Sequence, residues 1–186
     1  MIYFTSDTHF GDPRLNLYGR DFIATTSDEI DELIINNWNS IVTEKDTVFV
    51  IGDFCYDQNK ISLADRLIGK KYFIKGNYDD KISNDILNQY FDKVYDGGII
   101  LNDPIIAEKV YINHYPVNGK DDIFNIVGHI HGTWKVQRNM INVGTDAWHF
   151  YPVSAERIKF QINGIRNHYD QNVFAGELEC NLKYKK

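Results

Sequence analysis

Seven side chains able to offer oxygen or nitrogen to a metal ion stand just beyond short apolar runs: Asp7 and His9, Asp53, Asn77, His114, and His129 with His131. Carboxylate, imidazole and amide oxygen without thiolate suit a borderline or harder divalent ion such as manganese, iron or zinc. Seven donors exceed what one catalytic ion with an open position takes. They match two ions that share one bridging carboxylate. Residues i and i+2 of extended chain project to one side, so Asp7 with His9, and His129 with His131, can each aim two groups at a common point. Taken singly, each residue has an ordinary explanation. Gly52-Asp53 and Gly76-Asn77 are turn pairs, Asp7 could cap a helix, and His114 could be a hydrogen-bonded, half-buried imidazole. Their joint placement is harder to explain that way. Four of the six histidines follow an apolar run, two of them in "GHIHG" at 128 to 132, where flanking glycines let backbone approach a ligand closely.

Positioning such groups requires strands that end together. Short runs of strand character occur at Ile2–Thr5, Thr47–Ile51, Tyr72–Ile74, Val110–Ile112, Phe124–Val127 and Arg157–Ile162. The strongest helix signal is Ser27–Ile41, with Ile30, Leu33, Ile34, Trp38 and Ile41 on one face and a capping-box pattern, "TSDE", at 26 to 29. Weaker helical patterns cover Ile61–Ile68 and Asp80–Gln89. The expectation is an α/β fold, richer in strands in its later half, with the reactive groups on loops at the carboxyl ends of the strands.

The 186 residues, 43% hydrophobic and 14% aromatic, suffice for one domain with a sizeable core. No repeat, low-complexity block or linker divides them. The expected domain covers 1 to 175, and a basic tail, 176 to 186, ends in Lys183, Lys185 and Lys186. A formal charge of -6 argues against non-specific wrapping of nucleic acid, which needs a positive footprint. Cys55 and Cys180 suggest neither a disulfide framework nor a thiolate zinc site. The start, "MIYFTSD", carries no signal peptide or membrane span, so a cytoplasmic location is expected.

The ordered series "DTH" at 7 to 9, "GDF" at 52 to 54, "GNYD" at 76 to 79, "NHYP" at 113 to 116 and "GHIHG" at 128 to 132 resembles the calcineurin-like metallophosphoesterases, short bacterial and phage members among them. The likeness spans positions 1 to about 153 and includes "NVGTDAW" at 142 to 148. It implies a four-layer αββα sandwich of two facing mixed sheets, with the metals at the edge the sheets share. It also implies two divalent ions, manganese first and iron, zinc or nickel as alternatives. Asp7, His9, Asp53 and His131 would hold one, Asp53, Asn77, His114 and His129 the other, and Asp53 would bridge. The implied activity is phosphoester hydrolysis by a hydroxide shared between the ions.

Tyr78 departs from the family pattern, which has a histidine there, oriented by the following aspartate, here Asp79. A phenol titrates near pH 10, so at neutral pH it donates a hydrogen bond but carries protons less readily than imidazole. That favours a small phosphodiester, with cyclic or other nucleotides as candidates, over a phosphomonoester; the alternative to a role in chemistry is simple packing beside the cleft. Asp12 stands where many short relatives carry a second histidine. Candidate substrate contacts are Arg14, otherwise a solvated loop residue, Tyr115 and His149, with Trp148 as a further wall of the cleft. Competing readings are a phosphomonoesterase or protein phosphatase of the same family, a repair-type nuclease, which needs extra DNA-capping regions, and a non-catalytic scaffold. No extended nucleic-acid or membrane surface is expected, and oligomeric state is left open.

Overall fold

The structure, a computed structural model, describes residues 1–167. Cys180, the expected domain end at 175 and the basic tail lie outside the described residues. Two five-stranded sheets form the frame. In the first, β1 (Ile2–Thr5), β2 (Thr47–Ile51), β3 (Lys70–Ile74) and β4 (Lys93–Tyr95) run parallel, and β10 (Val153–Ser154) pairs antiparallel with β1. In the second, β6 (Glu108–Asn113), β7 (Phe124–Val127) and β9 (Met140–Asn142) run parallel, flanked by antiparallel β5 (Ile99–Asp103) and β8 (Val136–Gln137).

Strand alternation sorts the core into two. Tyr3, Val48, Val50 and Phe73 face α1 (Ser27–Ile41) and α2 (Asn84–Tyr90), together with Ile30, Ile34, Trp38 and Leu87. On the other face of the same strands, Phe4, Phe49, Ile51 and Ile74 pack with Val110, Ile112, Ile126 and Ile141 of the second sheet. Residues one apart on a strand point to opposite faces, so these runs are apolar throughout because both faces are covered. Helix α1 begins at a complete capping box, in which Thr26 accepts from the Glu29 N–H and the Glu29 carboxylate accepts from the Thr26 N–H. Such a cap contributes about 1 kcal/mol.

Three expectations need correction. Arg157–Ile162 is not a strand but part of α3 (Ala155–Asn167). Its isoleucines suggest β structure, yet Ala155, Ile158 and Ile162 recur at helical spacing and bury one stripe in the core between the sheets. Ile61–Ile68 is replaced by a 3-10 helix at Gln58–Arg66. Asp80–Gln89 divides into a 3-10 turn at Asp79–Lys81, an extended Ile82, and α2 capped by Ser83.

The two sheets meet at one edge. The Ser6 N–H donates to the Val143 carbonyl at 3.1 Å, and the Thr145 N–H donates to the Ser6 carbonyl at 3.0 Å. The segments after β1 and β2 also stay joined beyond the sheet: Asp7 N–H to Gly52 O, His9 N–H to Asp53 O and Phe10 N–H to Phe54 O. Among the described residues no helix is long and apolar enough to cross a membrane.

Candidate metal centre

The carboxyl ends of β1, β2, β3, β6 and β7 gather at this joined edge, and two groups of side chains there could each hold a metal ion. One comprises Asp7, His9 and His131, the other Asp53, His114 and His129; within each, one ligand atom per residue lies within 4.8 Å of the others. The groups touch through Asp53. Its Oδ2 lies 3.5 Å from His9 Nε2 and 3.4 Å from His114 Nε2. Asn77 is exposed and stands between Gly76 and Tyr78, and the Tyr78 N–H donates to Asp53 Oδ1 at 2.9 Å.

The pairs Asp7/His9 and His129/His131 do not continue their strands as extended chain, contrary to the expectation. Asp7, His9, Asp53, His129 and His131 all adopt the left-handed region, with φ of 57°, 47°, 54°, 74° and 49°. Each such residue costs on the order of 1–3 kcal/mol and persists only where its surroundings enforce it. The inter-loop hydrogen bonds above enforce it at Asp7, His9 and Asp53. His129 is held by its N–H, which donates to both Asp7 carboxylate oxygens at 3.1 and 2.9 Å. Glycines make the approach possible: a Cβ on Gly76 would strike Asp53 Oδ1, and one on Gly128 would strike the Ser6 side chain.

Hydrogen bonds fix which nitrogen each ring presents. His114 Nδ1 contacts the Ile51 carbonyl at 2.8 Å and His131 Nδ1 contacts Asp146 Oδ2 at 2.7 Å, so Nε2 of each is turned to the centre. Both ring nitrogens of His9 are buried without a hydrogen-bond partner. A buried polar atom left this way is costly, and a cation beside Nε2 would satisfy it. The donor set therefore fits a bound divalent ion. Burial works against ionisation of Asp53, but the His114 and His9 rings beside it hold its carboxyl well below the usual range. Burial works to lower His114, and the Asp53 carboxylate overrides it, pushing the ring up to about 9.

Asp79 does not orient the side chain at position 78. It accepts from the backbone N–H of Asp53 at 2.7 Å, Gly76 at 2.8 Å and Phe54 at 3.2 Å, and so ties the "GDF" and "GNYD" loops together. Burial, with the nearby Asp53 charge, pushes its carboxyl up to about 7 against the pull of these donors. Tyr78 packs edge-on against His9, with ring centres 4.6 Å apart, and Tyr115 lies against His114 and His129 at 4.8 and 5.0 Å. Arg14 is not a solvated loop residue: buried Asp12 grips it, and its Nη2 donates to the Tyr78 hydroxyl at 2.9 Å. His149 is exposed, with its carbonyl accepting from Asn37 on α1, and it touches none of these rings. Trp148 packs with the inter-sheet core and under Lys135 and Arg157, so it does not wall the centre.

Three supporting residues have no counterpart in the sequence reading. Arg20, 1% exposed, donates to both Asp146 oxygens, to Thr145 Oγ1 and to the carbonyls of Asp7 and Thr8. Asp146 thereby joins His131 to Arg20; its signal was its place in "NVGTDAW". Tyr18 stacks on His131 at 3.8 Å and 13°, with nothing in its local sequence to mark it.

No family model matches the chain. An uncharacterized protein of Methanocaldococcus jannaschii is 37% identical over 83 residues, 42% of this chain, and the chain spans 46% of that relative's length. The Gene 66 protein of Mycobacterium phage L5 is 27% identical over 183 residues, covering 78% of this chain and 86% of its own. Among solved structures, a protein of unknown function from Aquifex aeolicus shares the fold with a TM-score of 0.67 and 22% identity, over 87% of this chain and 98% of its own. A Pseudomonas putida nuclease overlaps more loosely, with a TM-score of 0.49 and 18% identity over 70% of this chain and 61% of its own.

Proposed function

We propose that this chain is a metal-dependent phosphoester hydrolase with two divalent ions, manganese first among the candidates, acting on a small phosphodiester such as a cyclic or other nucleotide ester. The observation that carries this reading is the position of Asp53 Oδ2, 3.4 to 3.5 Å from one imidazole of each ligand group, where a single carboxylate can serve both. The ligand set and its order along the chain support the resemblance to calcineurin-like metallophosphoesterases. Asp7, His9, Asp53 and His131 would hold one ion and Asp53, Asn77, His114 and His129 the other.

Bound divalent ions supply Lewis-acid neutralisation of phosphoryl charge and an activated water as nucleophile. The chain's own residues set the geometry. Asp146 and the Ile51 carbonyl fix the two imidazole orientations, the Tyr78 N–H fixes Asp53, and Asp79 locks the loops that carry Asp53 and Asn77. Tyr78 places a phenol, not an imidazole, beside His9. A phenol donates a hydrogen bond but is a poor proton carrier at neutral pH, which suits an ester with a good or strained leaving group.

An aryl phosphodiester and the matching monoester, each with manganese at neutral pH, provide the test. The wild-type chain is expected to hydrolyse the diester preferentially, and Asp53→Asn to lose nearly all turnover while keeping its circular dichroism spectrum and melting temperature. Full activity in Asp53→Asn would refute the shared-carboxylate reading. A clear monoester preference would refute the diester reading alone.

A further inference from the structure

Next to the Asp7–His9–His131 group lies a second set of side chains that the metal chemistry leaves unused. Asp12 is 3% exposed and accepts from Arg14 Nε at 2.9 Å and Arg14 Nη2 at 2.7 Å, a two-pronged grip that its own burial makes rigid. The guanidinium lies over the Tyr56 ring at 4.4 Å, and Nη2 also reaches the hydroxyls of Tyr78 at 2.9 Å and Tyr18 at 3.2 Å. Among the described residues Arg14 Nη1 has no hydrogen-bond partner, although the side chain is only 36% exposed. Because the Tyr78 oxygen is taken as an acceptor by Arg14, its own O–H points away from Arg14.

A guanidinium gripped by a buried carboxylate, stacked on a ring and tethered to two phenols is costly to order unless it has a task. Tyr78 ties it to the centre, since its N–H binds Asp53 and its ring touches His9. We propose that Asp12, Arg14 and Tyr78 form a specificity unit in which Asp12 positions Arg14, and Arg14 Nη1 with the Tyr78 hydroxyl hydrogen-bonds a phosphoryl oxygen of a monoanionic phosphodiester held beside His9. The unit deepens the hydrolase reading and rests on it. Asp12 cancels the guanidinium charge, so the site gains donors without gaining net positive charge. Such a surface serves the single negative charge of a diester and adds little attraction for the double charge of a monoester.

Steady-state kinetics on both esters, with manganese content and melting temperature recorded for each variant, provide the test. Arg14→Ala is expected to lower diester kcat/KM by about 10²-fold, the usual loss when one preorganised donor is removed. Manganese content should be unchanged, the melting temperature should fall because buried Asp12 loses its partner, and guanidinium ion at a non-denaturing concentration should restore part of both the rate and the stability. Asp12→Asn leaves the guanidinium charge uncompensated, so it should lower kcat on the diester while lowering KM for the monoester, a split that loosened packing would not produce. Arg14→Ala with diester kinetics indistinguishable from wild type, in protein that binds manganese, would overturn the specificity unit and leave the hydrolase reading standing. A wild-type chain that binds none of manganese, iron, zinc and nickel would overturn both.

Discussion

The His114 imidazole is the group whose protonation most directly reports on the centre. Burial acts to lower it, but the Asp53 carboxylate raises it to about 9, so without metal it is an imidazolium at neutral pH. A metal ligand must be the neutral ring, so an ion that binds at Nε2 has to displace that proton. Manganese affinity should therefore rise with pH from 7 towards 9, with proton release on binding. Calorimetry in buffers of different protonation enthalpy would show it, and binding without proton release would contradict the assignment. Stability of the metal-free protein runs the other way. The folded value lies above the ordinary 6.5, so the contribution is full below pH 6.5 and lost as pH rises through about 9. The six residues of the two groups that could hold a metal were legible in the sequence because each sits in a short motif of restricted composition. Their left-handed backbone was not, since non-glycine residues reach positive φ only when distant hydrogen bonds hold them there.

Arg20 shows how separate elements are bound into one site. It belongs to a 3-10 turn after β1, and its partners are Asp7 and Thr8 on the first loop and Thr145 and Asp146 following β9. Removing one partner of a buried ion pair leaves an uncompensated charge, so Arg20→Met should cost about 3–5 kcal/mol in urea unfolding. A loss under 1 kcal/mol would mean that Asp146 finds another partner. Nothing near position 20 foretells this role, because its carboxylate partner, Asp146, stands 126 positions away. Element type was legible where one period dominated, as in the α1 stripe, or where a short continuous apolar run rich in β-branched and aromatic residues stood alone, as in β1 and β2. It failed at α3, where β-branched residues sit at helical spacing, and at short edge strands such as β8 and β10, which carry too few residues to show a period.

The molecule as a whole brings together groups that the sequence holds far apart, and this has a bearing on how it is built. Asp7 near the start and His131 late in the chain belong to one ligand group, and the seam between Ser6 and Val143 closes only when both sheets exist. Closing loops of that length, through parallel pairings that are themselves non-local, places the seam late in folding. Trp38, wholly buried against the first sheet, belongs to the helix-covered half and can report its formation separately. In refolding experiments on a Trp134→Phe/Trp148→Phe variant, which leaves Trp38 as the one tryptophan, fluorescence should recover before manganese uptake, and simultaneous recovery would mean that the two halves form in one step. A chain synthesised from its amino end would hold "DTH", "GDF" and "GNYD" in place before "GHIHG" has emerged. Metal loading would then act as a checkpoint on synthesis: a chain that stops short of "GHIHG" lacks His129 and His131, so neither candidate ligand group is complete until the second sheet has closed on the first.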